Sequence, residues 1–283
     1  MAWFNLLRPQ QWIKNWFIFA ALVFSVDLWH FKVFLICLAG FALFCLAASS
    51  IYIFNDLRDR EKDRLHYRKK YRPLASGEIS VKTAWFLFVI LSLLTLAGSF
   101  YLSWKFALIV LLYWLINLAY SLKLKHLPII DIMCLASGFV LRVLAGALLI
   151  NCYISPWIII CTLLLALFLG AQKRRAELEL VESGCSEGRS VLAYYNKDLL
   201  RDMASICASA AIMAYCLYSF NSDHTIYMML TIPFVIYGIF RFQFLMSVPE
   251  LAEAPDKAMV KDLPLLLDFF LWAVCSMIIL YWF

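Results

Sequence analysis

The sequence predicts an all-α polytopic membrane protein with nine transmembrane helices, and three observations carry that reading. Of its 283 residues, 64% are hydrophobic and 16% charged, with a mean hydropathy of +0.81. That is far above a globular domain. The apolar residues gather into runs of about 20, the length that crosses a bilayer as a helix. The charged residues gather between those runs. Lipid offers the backbone no hydrogen bonds, so such runs satisfy themselves internally as helices.

The first run, 12–30, follows a polar, amphipathic stretch from Met1 to Gln11 that lacks a small-residue cleavage pattern, so it reads as a retained span. The second, 33–54, stops where Asn55 opens a charged segment. The third and fourth, 83–103 and 105–122, are joined almost directly. The fifth, 128–150, holds Asp131 near one end and Arg142 well inside. The sixth, 154–172, ends on Lys173, Arg174 and Arg175. The remaining runs are 203–220, 226–246 and 264–282.

No low-complexity linker or soluble module interrupts this series, so residues 1–283 read as one domain. The two long charged loops, after spans two and six, lie four helices apart and hint at two four-helix halves with a final helix.

Orientation follows from the cations. Arg8 and Lys14 flank the first span, and Arg58, Arg60, Lys62, Arg64, Arg68, Lys69, Lys70 and Arg72 follow the second. Lys123 and Lys125 follow the fourth; Lys173, Arg174, Arg175, Arg189, Lys197 and Arg201 follow the sixth; Lys257 and Lys261 precede the last. The other side offers Lys32 and Lys105. This predicts a plasma-membrane protein with its amino terminus and charged loops in the cytoplasm and its carboxyl terminus outside.

Nine cysteines include no CxxC and lie mostly within apolar runs, as small hydrophobes do. His30, His66, His126 and His224 are scattered without metal-ligand spacing. No P-loop, GxGxxG or nucleophilic-serine motif occurs, and nothing points to nucleic acid.

The chemistry concentrates in Asn55-Asp56-x-x-Asp59-x-x-x-Asp63 and the following Arg72-Pro73-Leu74-Ala75-Ser76-Gly77. On a continuing helix these acids share a face. Carboxylates so placed repel one another unless a cation is shared between them. Acidic residues contribute little to membrane orientation, so topology does not explain them. Hard oxygen ligands at a hydrated helix end suit magnesium, bound by one or two carboxylates together with substrate phosphates. Asn55, Asp56, Asp59 and Asp63 are the candidate metal ligands, with Asp56, Asp59 and Asp63 the candidate catalytic acids. Arg58, Arg64 and Arg72 are candidates to bind the anion.

That pattern, with its arginine-proline sequel and nine spans, resembles the first aspartate-rich motif of the UbiA superfamily of intramembrane prenyltransferases. The resemblance covers nearly the whole chain and implies a UbiA-like bundle. Members that prenylate aromatic rings typically carry a second such motif after the sixth helix. Here Lys173, Arg174, Arg175 and Glu177 stand in its place, and Asp198 and Asp202 follow later as an alternative second acidic site. Leu7-Arg8-Pro9-Gln10-Gln11-Trp12-Ile13-Lys14-Asn15 resembles one branch in particular. So do Tyr120-Ser121-Leu122-Lys123-Leu124-Lys125 with Asp131, and Gly138 to Arg142. Members of that branch transfer 5-phosphoribose from phosphoribosyl diphosphate to a polyprenyl phosphate, releasing diphosphate.

The resemblance thus implies a magnesium-dependent enzyme. The acidic face would hold the metal and the leaving diphosphate, while Lys14, Lys123, Lys173 and Arg174 position the lipid phosphate. Tyr120, Asp131, Arg142 and Glu177 complete the candidate substrate-binding set. An arginine within a span costs about 2.5–3.5 kcal/mol on insertion scales, so Arg142 should face the bundle interior, binding phosphate or pairing with Asp131 or another acid. Two other readings stand beside this one. An ordinary prenyltransferase would move an isoprenyl chain from its diphosphate to a small acceptor, but the missing second acidic motif disfavours it. A transporter would need charges at mid-depth, and apart from Arg142 few lie there. A homo-oligomer is left open.

Overall fold

The computed structural model describes residues 2–24, 30–65, 69–182, 190–220, 226–248 and 261–282. His66, Arg68, Arg189, His224 and Lys257 lie outside the described residues. Every regular element within them is helical. A short α1 (Ala2–Leu7) leads into a 3-10 helix (Pro9–Phe19), α2 (Ala20–Phe24) and the long α3 (Phe31–Leu65). One-turn α4 (Pro73–Ser76) is followed by α5 (Val81–Leu102), α6 (Trp104–Leu122), α7 (Ile130–Ile150) and α8 (Pro156–Glu182). Then come α9 (Lys197–Phe220), α10 (Ile232–Ser247) and α11 (Leu263–Trp282).

Eight helices among the described residues are long and apolar enough to cross a membrane, and they correspond to expected spans two to nine. The first expected span differs. Its described part is the 11-residue 3-10 helix followed by five-residue α2. Runs of 3-10 helix longer than about four residues are uncommon, so tertiary contacts must hold this one. Trp12 Nε1 donates to Ser49 Oγ at 3.0 Å, and Asn15 Nδ2 donates to Cys45 Sγ at 3.2 Å. The backbone also passes against α7, where a Cβ on Gly146 would lie 2.0 Å from the Ile18 carbonyl oxygen. Only glycine permits that approach.

The chain forms two compact units. The first comprises Met1–Lys125 with Gly138–Ile154, the second His126–Ser137 with Ser155–Phe283. The first unit has an aromatic core in which Phe44 of α3 meets Phe106 and Tyr113 of α6 at centroid distances of 6.4 and 4.9 Å. A second cluster (Leu6, Ile53, Leu74, Ile79, Ala84 and Leu91) packs beneath the charged end of α3. In the second unit, Ala204, Ala208 and Ala211 of α9 form a small-residue face in a core that also holds Phe168 and Ala171 of α8. Small residues let helices in lipid approach closely enough for dispersion to hold them. The eight described cysteines are all free thiols.

Candidate active site

The acidic motif lies on the last three turns of α3, which run past the apolar stretch without a break. The segment after it folds back for local reasons. Arg72 precedes a proline and takes the extended conformation such residues favour, with φ −66° and ψ 141°. Pro73 opens α4, and Gly77 closes it at φ +85°, a left-handed position suited to glycine. Arg60 Nε and Arg64 Nε donate at 3.2 Å to the carbonyls of Leu74 and Ala75, which the short helix leaves unpaired. Arg64 also pairs with Glu61 at 3.3 Å. Its work here is to clasp the turn.

That fold-back delivers Arg72 to the acidic face. Arg72 Nη1 lies 2.6 Å from Asp63 Oδ2 and 3.1 Å from Asp56 Oδ1, although both carboxylates are almost wholly buried. Arg8, from the turn before the 3-10 helix, places Nη2 2.5 Å from the same Asp56 oxygen. Arg8 adopts a left-handed backbone, φ 53°, and its guanidinium also stacks over Tyr52 at 5.2 Å. Burial pushes the Arg8 guanidinium below its ordinary value, and Asp56 pulls it back. Lys125 Nζ reaches Asp59 at 2.9 and 3.1 Å. The repulsion among these acids is therefore relieved by Arg8, Arg72 and Lys125.

Arg8 and Lys125 were not candidates from sequence. Each stood in a run that orientation and resemblance already accounted for, and their partners lie 48 and 66 residues away. Arg58 takes no part in the cluster. It is exposed and stands about 200° around the helix from Asp56.

Among the described residues no three carboxylates, imidazoles or thiols converge as a ready-made metal site. The donor set nonetheless fits magnesium, which commonly takes one or two carboxylates and fills its remaining positions with phosphate and water. Asn55 Oδ1 supports the fit: it is buried with no hydrogen-bond partner. A buried acceptor left unmade costs about 1–3 kcal/mol.

Among the described residues Arg142, in the first unit, has no carboxylate partner. Its Nε donates to Asn15 Oδ1 at 2.7 Å, Nη1 to the Gly138 carbonyl at 2.6 Å and Nη2 to the Tyr113 hydroxyl at 3.3 Å. The rings of Phe44, Tyr113 and Phe139 lie 5.1–5.7 Å from its guanidinium carbon. The expected pairing with Asp131 does not form. The two are 11 residues apart on one helix, about 16 Å along its axis, and no side chain closes that gap.

Asp131 belongs to a cluster in the second unit. Arg174 Nε donates to Asp131 Oδ2 at 2.5 Å and Nη1 to Glu177 Oε2 at 2.7 Å, and both Arg174 and Asp131 are fully buried. The Tyr195 hydroxyl donates to Asp131 Oδ1 at 2.7 Å and accepts from the Ile129 amide at 2.6 Å. Burial first, and then the bond to Asp131, push the Tyr195 phenol up to about 12. Ile129 is a β-branched residue at φ 67°, a strained position that this bond helps hold. Arg174 is thus a buried partner of two acids. Lys173 sits beside it, half-buried, on the same helix end.

Lys14 is half-buried on the 3-10 helix and Tyr120 half-buried on α6, while Lys123 is exposed just past the end of α6. Asp198 and Asp202 flank Arg201 at 3.2 and 3.5 Å on the exposed start of α9. They form a solvated ion group, unlike the buried Asp56 and Asp63 of the α3 motif.

Long apolar helices, with buried carboxylates paired to guanidinium groups at the end of one of them, define a multi-pass membrane protein. The chain belongs to the UbiA prenyltransferase family, whose model matches residues 15–278. It is 33% identical over 282 residues to decaprenyl-phosphate phosphoribosyltransferase of Mycolicibacterium smegmatis, covering 94% of this chain and 88% of that one. The enzyme of that name from Corynebacterium glutamicum is 33% identical over 285 residues, covering 97% and 85%. In fold it is similar to a UbiA homolog from Archaeoglobus fulgidus bound to DMAPP and Mg2+, with a TM-score of 0.75 at 20% identity and complete coverage of both chains.

Proposed function

We propose that this protein transfers 5-phosphoribose from phosphoribosyl diphosphate to a polyprenyl phosphate, releasing diphosphate, in a magnesium-dependent reaction. The observation that carries the reading is the α3 cluster, where acids able to hold a metal and arginines able to bind phosphate share one face. The two phosphoribosyltransferase relatives support it across almost the whole chain.

Asn55, Asp56, Asp59 and Asp63 would hold the ion, which when bound offsets the negative charge that grows on the leaving diphosphate. Arg72 and Arg8 sit where they can turn from the carboxylates to phosphate oxygens and supply charge of the same sign. Lys125 fixes Asp59. The acceptor is already an anion, so no general base is needed, and the protein's task is to position it. Lys14, Tyr120 and Lys123 in the first unit, and Lys173 in the second, are assigned to phosphate groups. Asp131, Arg174 and Glu177 hold the helix end that carries Lys173, and Arg142 holds Asn15. The charged span ends are assigned to the cytoplasm.

The test supplies purified protein with magnesium, labelled phosphoribosyl diphosphate and a polyprenyl phosphate. Label should enter the lipid phase only when all three are present. Label that stays aqueous, while a prenyl diphosphate is consumed with an aromatic acid, would overturn the reading.

A further inference from the structure

The face of α3 opposite the acids carries a second feature. Phe54, Leu57 and Arg58 line a groove of about 340 Å³ with Val81 and Trp85 of α5. Arg58 is exposed and makes no hydrogen bond or ion pair among the described residues. Behind it Phe54, Trp85 and Phe88 pack together, with centroids 6.3 Å (Phe54–Trp85), 5.8 Å (Phe54–Phe88) and 5.6 Å (Trp85–Phe88) apart. Trp85 remains 45% exposed.

The position of the groove along the span matters. Residues 31–54 of α3 are almost all apolar; Asn55 follows, and charge begins at Asp56. The groove therefore straddles the boundary where hydrocarbon gives way to headgroups. Indole rings favour that level. Lys62 on the same face of α3, and Lys82 in the first turn of α5, are also exposed and without ion pairs among the described residues. No acid lines the groove.

We propose that this groove binds an anionic phospholipid, its phosphate on Arg58 and the upper part of an acyl chain on Phe54, Leu57, Val81 and Trp85. Guanidinium is the side chain suited to phosphate, because its planar fork donates to two oxygens at once. Surplus positive charge on the rim selects an anionic over a zwitterionic headgroup. The volume suits a headgroup and a few methylenes. The site is distinct from the acidic cluster, because Arg58 makes no hydrogen bond or ion pair with Asp56, Asp59 or Asp63 and none of the three lines the groove. It does not depend on which transferase reaction the chain performs.

The test is lipid retention by the full chain. Protein is exchanged into nanodiscs of phosphatidylcholine with a minor fraction of phosphatidylglycerol, extracted gently, and its retained lipids are counted by native mass spectrometry. Wild type should retain phosphatidylglycerol over phosphatidylcholine by about fivefold, the factor that one basic group near the surface supplies. Arg58→Glu should abolish the preference and Arg58→Lys should keep part of it. Arg58 is exposed and makes no hydrogen bond or ion pair among the described residues, so both variants should elute and melt as wild type. Equal retention of phosphatidylglycerol by wild type and Arg58→Glu would overturn the proposal. So would its release by excess inorganic phosphate, which would make this a soluble-anion site. Displacement by stoichiometric polyprenyl phosphate would also overturn it, since the groove would then serve the substrate.

Discussion

Arg72 donates to Asp63 at 2.6 Å across nine residues, and that bond pins the arginine-proline turn onto the acidic face of α3. The same nitrogen lies 3.1 Å from Asp56, so one guanidinium holds two buried carboxylates. Substituting Arg72→Ala leaves both without this partner. Asp56 keeps Arg8, and Arg72 is 30% exposed, so the loss should be about 1–3 kcal/mol, below the range for breaking a fully buried pair. Thermal unfolding in detergent measures it. Arg72→Lys should recover less than half, because a single ammonium does not reproduce the planar fork. Full recovery would show that charge alone matters.

Asp59 differs from its neighbours in being half-buried and paired with a lysine from beyond the end of α6. Asp59→Asn keeps the shape and removes the charge. If Asp59 helps hold magnesium, turnover should fall by about 10²-fold or more, and the magnesium concentration for half-maximal rate should rise. Lys125→Ala should leave magnesium binding intact and lower turnover by about tenfold, by loosening Asp59. A magnesium titration of kcat/KM for the two variants separates the roles. Identical profiles would mean that Asp59 serves only to anchor Lys125.

The apolar spans and the acidic face were legible because each follows from a short-range rule: run length for the spans, and the three-and-four spacing for Asp56, Asp59 and Asp63. Partners set by tertiary contact were not. Asp131 has an arginine in its own helix, yet Arg142 is three turns away and the partner is Arg174, 43 residues on. The 3-10 form of residues 9–19 has a similar cause: their composition is that of a helix, but Ser49, Cys45 and Gly146, all distant in sequence, hold them in a tighter coil. Arg58 shows the converse. It belongs to the charged run but faces away from the acids, as its position on the helix wheel dictates.

Arg174 and Asp131 are each fully buried; removing Arg174 strands the Asp131 charge, whereas removing Asp131 leaves Arg174 with Glu177. Arg174→Met should destabilise by about 3–5 kcal/mol and Asp131→Leu by less, and the double variant should lose less than the sum of the two. A double-mutant cycle on thermal stability should give a coupling of about 2 kcal/mol or more. Tyr195→Phe adds a pH test. The folded phenol sits near 12 against an ordinary value of 10, so its neutral form is the one the fold favours. The stability it contributes is complete below pH 10 and lost as the pH rises towards 12. The melting-temperature gap between wild type and Tyr195→Phe should close over that window, and a gap that stays constant through it would mean that folding does not raise the phenol's pKa.

Arg142 and Asn15 make the contact that couples the 3-10 helix to the interior of the first unit, at 2.7 Å with both side chains buried. Among the described residues no acid balances this arginine. Its charge is met by one amide oxygen, one carbonyl, one hydroxyl and three aromatic faces. Replacing it with an apolar residue of similar length therefore strands no opposite charge. Arg142→Met should cost about 1–3 kcal/mol, set by the acceptors left unpaired, and less than Arg174→Met. Asn15→Leu should cost more, because it leaves the arginine charge with fewer donors satisfied in a low-dielectric interior. Loosening Asn15 should also free the segment bearing Arg8, so both variants should raise the KM for the diphosphate substrate more than they lower kcat. Hydrogen exchange of residues 9–19, measured alongside the kinetics, decides the case. Faster exchange with a raised KM supports the coupling, and a raised KM with unchanged exchange would assign Arg142 to the substrate directly.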